Sequence, residues 1–200
     1  MGYHMGFDVA LVGIAGGLSL CWDTSISAEI QFSSTYVICS MMKSINTGRE
    51  FRAYWIYGTP YREAKNEFWY WMEQSFAPTN HAWFCGGDFN EFLWGHEKSG
   101  GSEPSHSRPK FLHNFMSKMA LMDMGYVGPC FTWRGRAHNG DLVQEWLDRG
   151  LVNYEWQTAW PNTTIYHETI VGSDHCPLIV NCEPRSRRSK RFLKFEANWA

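Results

Sequence analysis

Three polar clusters whose side chains can act on a phosphate each follow an apolar, strand-like run. They are Gly87-Asp88-Phe89-Asn90, Trp146-Leu147-Asp148-Arg149 and Ser173-Asp174-His175. Hydrolysis of a phosphodiester needs a cation at the non-bridging oxygens, a group that orients or deprotonates water, and donors for the developing charge. Asp, Asn and His side chains supply these functions. The clusters therefore predict phosphate chemistry at one rim of a sheet.

Short apolar runs and two helical patterns predict the elements that position these clusters. Thr59 and Pro60 predict the start of an amphipathic helix that continues to Phe76, and Pro109 predicts the start of a second helix. A loop is expected over residues 95–107, which are rich in Gly, Ser and Pro. Strands are expected at residues 9–22, 28–33, 36–42, 50–57, 81–87, 130–134, 145–152, 163–170 and 176–182.

This pattern of many strands and two helices predicts an α/β sandwich of two mixed or antiparallel sheets. A Rossmann fold is not expected, because no G-x-G-x-x-G sequence joins a strand to a helix. The chain has 200 residues, of which 44% are hydrophobic and 19% charged, as in an ordinary globular domain. We predict one domain over residues 1–184 and a separate basic tail over 185–200.

The composition also argues against several classes of protein. The longest charge-free hydrophobic stretch, Val9–Trp22, has 14 residues, fewer than the roughly 20 that a membrane helix needs. The first eight residues carry no Lys or Arg and include Asp8, so a secretory signal is not expected. Six cysteines without a C-x-x-C pair predict reduced thiols packed in a core, and no zinc site. We therefore expect an intracellular protein with no membrane partner.

The basic residues are concentrated at the end of the chain. Positions 1–184 hold 12 of the 18 basic and 19 of the 20 acidic residues. The run RSRRSKR, which includes Arg187 and Arg188, fits a solvated linker, a nuclear address or an arm that contacts nucleic-acid phosphates. An acidic body can still meet phosphate through a metal cation.

Five motifs in order carry a family resemblance. They are GGLSLCW at 16–22, YGTP at 57–60, GGDFN at 86–90, WLDRGLVN at 146–153 and GSDHCPL at 172–178, with FTW at 131–133 between the third and fourth. In this order they resemble the endonuclease/exonuclease/phosphatase (DNase-I-like) superfamily, and most closely the endonuclease domain of plant LINE-type, non-LTR retrotransposons. The resemblance implies a DNase-I-like sandwich, DNA as substrate, Mg²⁺ or Mn²⁺ as cofactor and, in a longer product, a C-terminal reverse transcriptase.

The resemblance also implies roles for individual residues. Asp88 is expected to orient and polarise the attacking water, and Asn90 to donate a hydrogen bond to the phosphate. His175, held by Asp148, is expected to contact the scissile phosphate as its electrophilic or acid–base partner. Tyr57 is expected to hydrogen-bond a phosphate oxygen.

Two further roles follow from the same resemblance. Asp174 is expected to help hold Mg²⁺. Trp133 is a candidate for nucleic-acid binding, by stacking near a flipped nucleotide, but packing beneath the rim is the role that its type favours.

The N-terminus departs from the family pattern. Complete family members carry an Asn on a first strand and a metal-binding Glu on a second strand before the GGL motif, and neither precedes Gly16 here. We therefore expect a sandwich that lacks these first strands, and a weakened metal site. Two alternatives to a DNA-nicking enzyme stay open, namely a catalytically inactive remnant that binds nucleic acid and a phosphatase of the same superfamily.

Overall fold

The computed structural model describes residues 3–10, 17–102 and 110–182. Within them the chain forms strands β1 (Met5–Val9), β2 (Leu18–Trp22), β3 (Ile26–Ser33), β4 (Val37–Ser44) and β5 (Glu50–Tyr57), then helix α1 (Lys65–Ser75) and strands β6 (Trp83–Asp88) and β7 (Lys98–Ser99). Helix α2 (Phe111–Met119) precedes β8 (Met122–Asp123), β9 (Trp133–Arg136), β10 (Leu142–Glu145) and β11 (Asp148–Val152), and α3 (Tyr154–Ala159) precedes β12 (Thr164–His167) and β13 (Leu178–Asn181).

The largest sheet has six strands in the order β3-β4-β5-β6-β11-β8. All neighbours in it are antiparallel except β5 and β6, which are parallel. Smaller antiparallel sheets are formed by β1-β2, by β7-β10-β9 and by β12-β13. The mixed α/β fold with several sheets and few flanking helices confirms the predicted fold class.

Helices α1 and α2 cover one face of the large sheet. Their apolar side chains recur at helical spacing and pack against strand residues on alternate positions. Full burial of such side chains stabilises the fold by roughly 1.5–3 kcal/mol each. The buried members of this core are Phe68, Trp69 and Met72 from α1, Leu112, Phe115 and Met119 from α2, and Val37, Cys39, Tyr54, Ile56, Trp83, Cys85 and Leu151 from the sheet.

The opposite face of the sheet packs against α3 and β13. Phe84 and Val152 of the sheet form a cluster with Trp156 and Trp160, and Val180 of β13 packs against it. Gly150 on β11 lies against this layer, where an added Cβ atom would stand 2.3 Å from the Ile165 side chain. The two faces together give β6 and β11 a buried position at the centre of the protein.

The structure corrects the predicted N-terminal strand. Residues 9–22 were expected to form one strand, but β1 and β2 pair as an antiparallel ribbon in which Met5 is opposite Trp22. The expected strand includes residues 11–16, which lie outside the described residues. Gly17 has a φ of 84°, a conformation that few residues other than glycine adopt. The apolar run over residues 9–22 therefore includes the last residue of β1 and the whole of β2, and it is not a single strand.

The expected start of the first helix is wrong, and the expected start of the second lies outside the described residues. Helix α1 begins at Lys65, after a 3₁₀ turn at Arg62–Ala64, and not at Pro60. The Thr59 hydroxyl accepts a hydrogen bond from the Tyr61 amide, and Tyr61 is extended. The Pro109 prediction lies outside the described residues. Helix α3 was not predicted, because its six residues are too short to show a helical period.

The predicted loop and several strand boundaries also differ. Residues 95–99, expected as part of a loop, form a 3₁₀ turn and the short strand β7. The strand expected over 145–152 is divided into β10 and β11, because the backbone at Trp146 and Leu147 turns to pair with other segments.

The cysteines and helices agree in part with the expectations from composition. All six cysteines are free thiols, and Cys39, Cys85 and Cys176 are buried. The expectation of a core position is wrong for Cys21 and Cys130, which are exposed. In the part of the chain that the structure describes, no helix combines the length and the apolar character needed to cross a membrane.

Candidate active site

Strand pairing brings the first two polar clusters together. Asp88 is the last residue of β6, and Asp148 is the first residue of the antiparallel neighbour β11, so the two stand directly opposite each other. Tyr57 ends the parallel neighbour β5 and is in register with Asp88. Asp88, Asp148 and Tyr57 therefore lie close together at one end of the central strands, where β5 and β6 end and the antiparallel β11 begins.

His175 completes this group from the loop before β13. Its Nδ1 atom lies 2.8 Å from Asp148 Oδ2, and its Nε2 atom lies 3.9 Å from Asp88 Oδ2. Because an ionised carboxylate can only accept a hydrogen bond, Nδ1–H donates to Asp148. This hydrogen bond fixes the ring orientation and directs Nε2 towards Asp88.

The two ends of this group have perturbed acid–base properties. Burial, together with the charge of Asp148, raises the pKa of Asp88 from 3.8 to about 7. Burial alone would lower the pKa of His175, but the hydrogen bond and charge of Asp148, with the charges of Asp88 and Asp174, raise it above its ordinary value. Near neutral pH the Asp88–His175 pair can therefore hold or release a proton.

Asn90 lies beside Asp88 in a left-handed backbone conformation, with a φ of 49°. Its backbone N–H donates to Asp88 Oδ1 at 2.7 Å. Its side-chain amide donates to Asp88 Oδ2 and to the Gly58 carbonyl, both at 2.8 Å. Lys65 Nζ donates to the Asn90 carbonyl at 2.6 Å and to Glu91 at 2.8 Å. Asn90 is thus held against the Asp88 carboxylate, and its predicted bond to phosphate requires one amide proton to change acceptor.

Thr132 joins the segments that carry Asp148 and His175. It is fully buried, and its hydroxyl accepts hydrogen bonds from the backbone N–H groups of Leu147 at 3.0 Å and Asp148 at 2.9 Å. Its carbonyl accepts a hydrogen bond from the Cys176 N–H at 2.8 Å. One residue therefore positions both partners of the Asp148–His175 hydrogen bond.

Asp174 and Trp133 lie together next to this group. Trp133 Nε1 donates to Asp174 Oδ2 at 3.1 Å, and the Trp133 backbone forms an antiparallel bridge with His175. Burial acts to raise the pKa of Asp174, but the Trp133 hydrogen bond and the His175 charge bring it below its ordinary value. Asp174 is therefore an ionised carboxylate at the edge of the site. The predicted nucleic-acid contacts Arg187 and Arg188 lie outside the described residues.

The oxygen atoms of this site are of the type that Mg²⁺ and Mn²⁺ bind. Among the residues that the structure describes, no group of three or more His, Cys, Asp or Glu side chains is arranged to hold a metal ion. Protein-bound Mg²⁺ usually relies on one or two carboxylates, with water and substrate phosphate as its other ligands. The buried Asp88 carboxylate, opposite Asp148, is also a charge that a cation would neutralise. The donor set therefore fits an ion completed by water and substrate.

Several residues at the site were missed as functional candidates from the sequence. Thr132 and Arg149 stand inside quoted motifs, FTW and WLDRGLVN, but their type alone does not distinguish them from structural residues. Lys65 and Glu97 lie outside those motifs. Their charged partners, Glu91 and Arg149, are 26 and 52 residues away in sequence, so no local spacing identifies these ion pairs.

Comparison with known proteins gives similarity in structure only. No protein-family model matches the sequence. No curated protein matches it either. The endonuclease domain of TRAS1, a telomere-specific non-LTR retrotransposon, is similar with a TM-score of 0.64 and 16% identity, over 90% of this chain and 80% of that chain.

Two further solved structures show the same fold at lower similarity. TDP2 from D. rerio, complexed with a single-strand DNA product, has a TM-score of 0.53 and 11% identity, over 88% of this chain and 75% of that chain. A conserved protein of unknown function from Enterococcus faecalis V583 also has a TM-score of 0.53, with 14% identity and the same coverage. The chain therefore has the DNase-I-like fold of endonuclease/exonuclease/phosphatase proteins, as predicted from its motifs.

Proposed function

We propose that this protein is a Mg²⁺-dependent phosphodiesterase that nicks DNA, of the type found in non-LTR retrotransposons. One observation carries the proposal. The imidazole of His175 is held by Asp148 and faces the buried carboxylate of Asp88, at the edge where β5, β6 and β11 meet. A carboxylate and a supported imidazole with shifted pKa values are suited to proton transfer near neutral pH.

In this proposal the four central side chains divide the chemistry. Asp88 orients and deprotonates the attacking water, and its raised pKa of about 7 makes it a base that is matched to neutral pH. His175 presents Nε2 to the scissile phosphate, and Asp148 stabilises its protonated form. The Asn90 amide donates to the phosphate as charge develops, after it exchanges one of its present acceptors.

In the proposed metal site, Asp174 would help to hold Mg²⁺, with water and substrate phosphate as the other ligands. When bound, Mg²⁺ neutralises the non-bridging phosphate oxygens, so that the phosphorus can accept the attacking water. Tyr57 is the proposed donor to a phosphate oxygen, because its strand ends in register with Asp88. Trp133 is proposed to contact nucleic acid from the position next to Asp174, where its indole N–H is already used.

DNA is the proposed substrate because of the motifs and the fold together. The structural neighbours include the endonuclease domain of a retrotransposon and a protein solved with a DNA product. The plant LINE-type motif order favours the retrotransposon class over other members of the fold. A nuclear address and a contact with DNA phosphates are proposed for the basic tail, and a reverse transcriptase for a longer product.

The first experiment is nicking of supercoiled plasmid DNA by the purified 200-residue chain in Mg²⁺, with EDTA as the metal-free control. His175→Ala is expected to lower the rate by about 10²- to 10⁴-fold, since this is the usual contribution of a positioned proton-transfer group. His81→Ala is the matched control. His81 is exposed and precedes the first residue of β6, whereas Asp88 is the last residue of that strand. Equal rates for the two variants would remove His175 from the mechanism.

A second candidate function is binding of nucleic acid without cleavage. It is favoured by the six basic residues within positions 185–194, a charge that suits contact with nucleic-acid phosphates. If the tail neutralises phosphates, log K for duplex DNA should fall with log salt concentration by about 0.9 per phosphate. Salt-dependent binding by folded protein that does not nick DNA would support this function, and hydrolysis of a phosphate monoester in place of DNA would favour a phosphatase.

A further inference from the structure

A buried ion pair between Arg149 and Glu97 links strand β11, which carries Asp148, to the loop that follows Asn90. Arg149, next to Asp148 on β11, has a fully buried guanidinium group that donates to both carboxylate oxygens of Glu97. Only 2% of the Glu97 side chain is exposed. The guanidinium also donates to the Trp146 carbonyl at 3.0 Å and lies 4.0 Å from the centre of the Trp146 ring.

Glu97 holds the loop that follows the Asp88–Asn90 segment. Its Oε2 atom, which pairs with Arg149, also accepts a hydrogen bond from the Leu93 N–H at 2.7 Å. Its carbonyl accepts a second one from the Trp146 N–H at 2.9 Å. Leu93 is three residues from Asn90, and the intervening Glu91 and Phe92 are buried. Leu93 is therefore joined to Asn90 by a short, packed segment.

We propose that Glu97 and Arg149 are positioning residues, which hold the Asn90 loop at a constant distance from the Asp148 strand. The proposal rests on the proposed function, because one segment carries the proposed water-activating Asp88 and the phosphate donor Asn90, and the other carries Asp148, which holds His175. The Glu97 side chain bonds to both Leu93 of the loop and Arg149 of the strand.

The need for charge at this place has a physical reason. A buried ion pair contributes little to stability compared with apolar packing, because both charges lose their hydration. Its paired hydrogen bonds are nevertheless directional, and a bidentate guanidinium–carboxylate pair accepts a single geometry. Asn90 also has a left-handed backbone conformation, which needs support from its surroundings. Asp88, Gly58 and Lys65 hold Asn90 itself, and the Glu97 contact holds the loop that follows it.

Asp123 provides a matched control within the same ion cluster. Its Oδ2 atom accepts from Arg149 Nη1 at 2.7 Å, and its Oδ1 atom accepts from the Gly125 N–H. Asp123 lies on β8, at the edge of the sheet, and its hydrogen bonds to Arg149 and Gly125 do not involve the Asn90 loop. Asp123→Asn therefore removes one of the two negative charges that pair with the Arg149 guanidinium, and it leaves the contact between Glu97 and Leu93 in place.

The test compares Glu97→Gln with Asp123→Asn by two measurements. The first is hydrogen exchange of the Asn90 side-chain amide, assigned in ¹⁵N spectra by its loss in Asn90→Asp. We expect exchange at least about 10-fold faster in Glu97→Gln and within about twofold of the original protein in Asp123→Asn. The second is the plasmid-nicking kcat, which we expect to fall by about 10²-fold in Glu97→Gln alone, the usual effect of a displacement of about 1 Å in a site.

Equal changes in the two variants at equal loss of Tm would overturn the proposal, since they would show only a structural role. Unchanged Asn90 exchange in a folded Glu97→Gln protein would also overturn it. If Glu97→Gln does not fold, Arg149→Lys keeps the charge but loses the bidentate fork, and faster Asn90 exchange is again required. The exchange measurement does not need activity, so a chain that fails to nick DNA refutes the proposed function while the positioning proposal is still decided.

Discussion

Asp88→Asn should make the protein more stable at alkaline pH while removing the proposed base. Asp88 is buried opposite Asp148, and its pKa is about 7 in the folded protein against an ordinary value of 3.8. Between these two values the folded chain holds a proton that the unfolded chain has lost. The contribution of Asp88 to stability therefore decreases as the pH rises through this window.

The size of the effect follows from the pKa difference. Relative to a side chain that does not titrate, Asp88 lowers the free energy of unfolding by about 4 kcal/mol at pH 8 and by about 1.5 kcal/mol at pH 5, where only the unfolded chain has lost the proton. Asn retains one of the two oxygen acceptors that Asn90 uses, and the lost hydrogen bond costs about 1 kcal/mol. The expected net gain is about 2–3 kcal/mol at pH 8 and about 0.5 kcal/mol at pH 5.

The assay is urea and thermal unfolding of the original protein and the variant at both pH values, in EDTA. For a protein of this length, the gain at pH 8 corresponds to an increase in Tm of about 5–10 °C. Asp141→Asn is the matched control, because Asp141 is exposed in the turn between β9 and β10. It should leave the difference between pH 5 and pH 8 as in the original protein.

Two results would refute this reasoning. The first is a free energy of unfolding of Asp88→Asn at pH 8 that is equal to or below that of the original protein. The second is a gain of the same size at pH 5 and pH 8, because a stabilisation that does not depend on pH cannot come from the ionisation of Asp88.

Substitutions at three further positions test the supports of the site and of the strands that carry it. Thr132→Val should lower the free energy of unfolding by about 2–4 kcal/mol, because two buried N–H groups lose their acceptor, and Thr132→Ser by less than half as much in the same urea titration. Gly87→Ala should cost about 2–4 kcal/mol, measured by Tm, since φ is 134° and a Cβ would lie 2.2 Å from the Ile56 carbonyl oxygen; an unchanged Tm would contradict this contact. Asn153→Ala removes four hydrogen bonds and should cost about 3 kcal/mol, with faster amide exchange at Trp83; retained protection there would contradict it.

Much of the fold was predictable from local patterns. The alternating residues of β5 and the helical spacing of Phe111, Leu112 and Phe115 in α2 identify their elements. The α2 pattern reflects one buried face, whereas β5 packs on both faces of the sheet. The extent of β1 and β2, the first residue of α1 and the presence of α3 were not predictable in this way. Their boundaries depend on strand pairing and on packing against distant residues.

The candidate site shows the same division. The residue types and the chain order of Asp88, Asp148 and His175 are properties of the sequence by itself, and they suffice to predict phosphate chemistry at one rim. The tertiary structure alone placed Asp148 opposite Asp88 and brought His175 within 2.8 Å of Asp148. It also produced the raised pKa of Asp88, because burial and a neighbouring charge exist only after the strands pair.

The supports of the site depend most completely on the tertiary structure. Thr132 lies 16 residues from Asp148, and Glu97 lies 52 residues from Arg149. No periodicity links residues at such separations, and the same residue types are common at surfaces. The sequence by itself determined which chemical groups this protein has and in which strands they stand, whereas only the packed sheet decided which of them touch, because contacts between distant segments form when the core is buried.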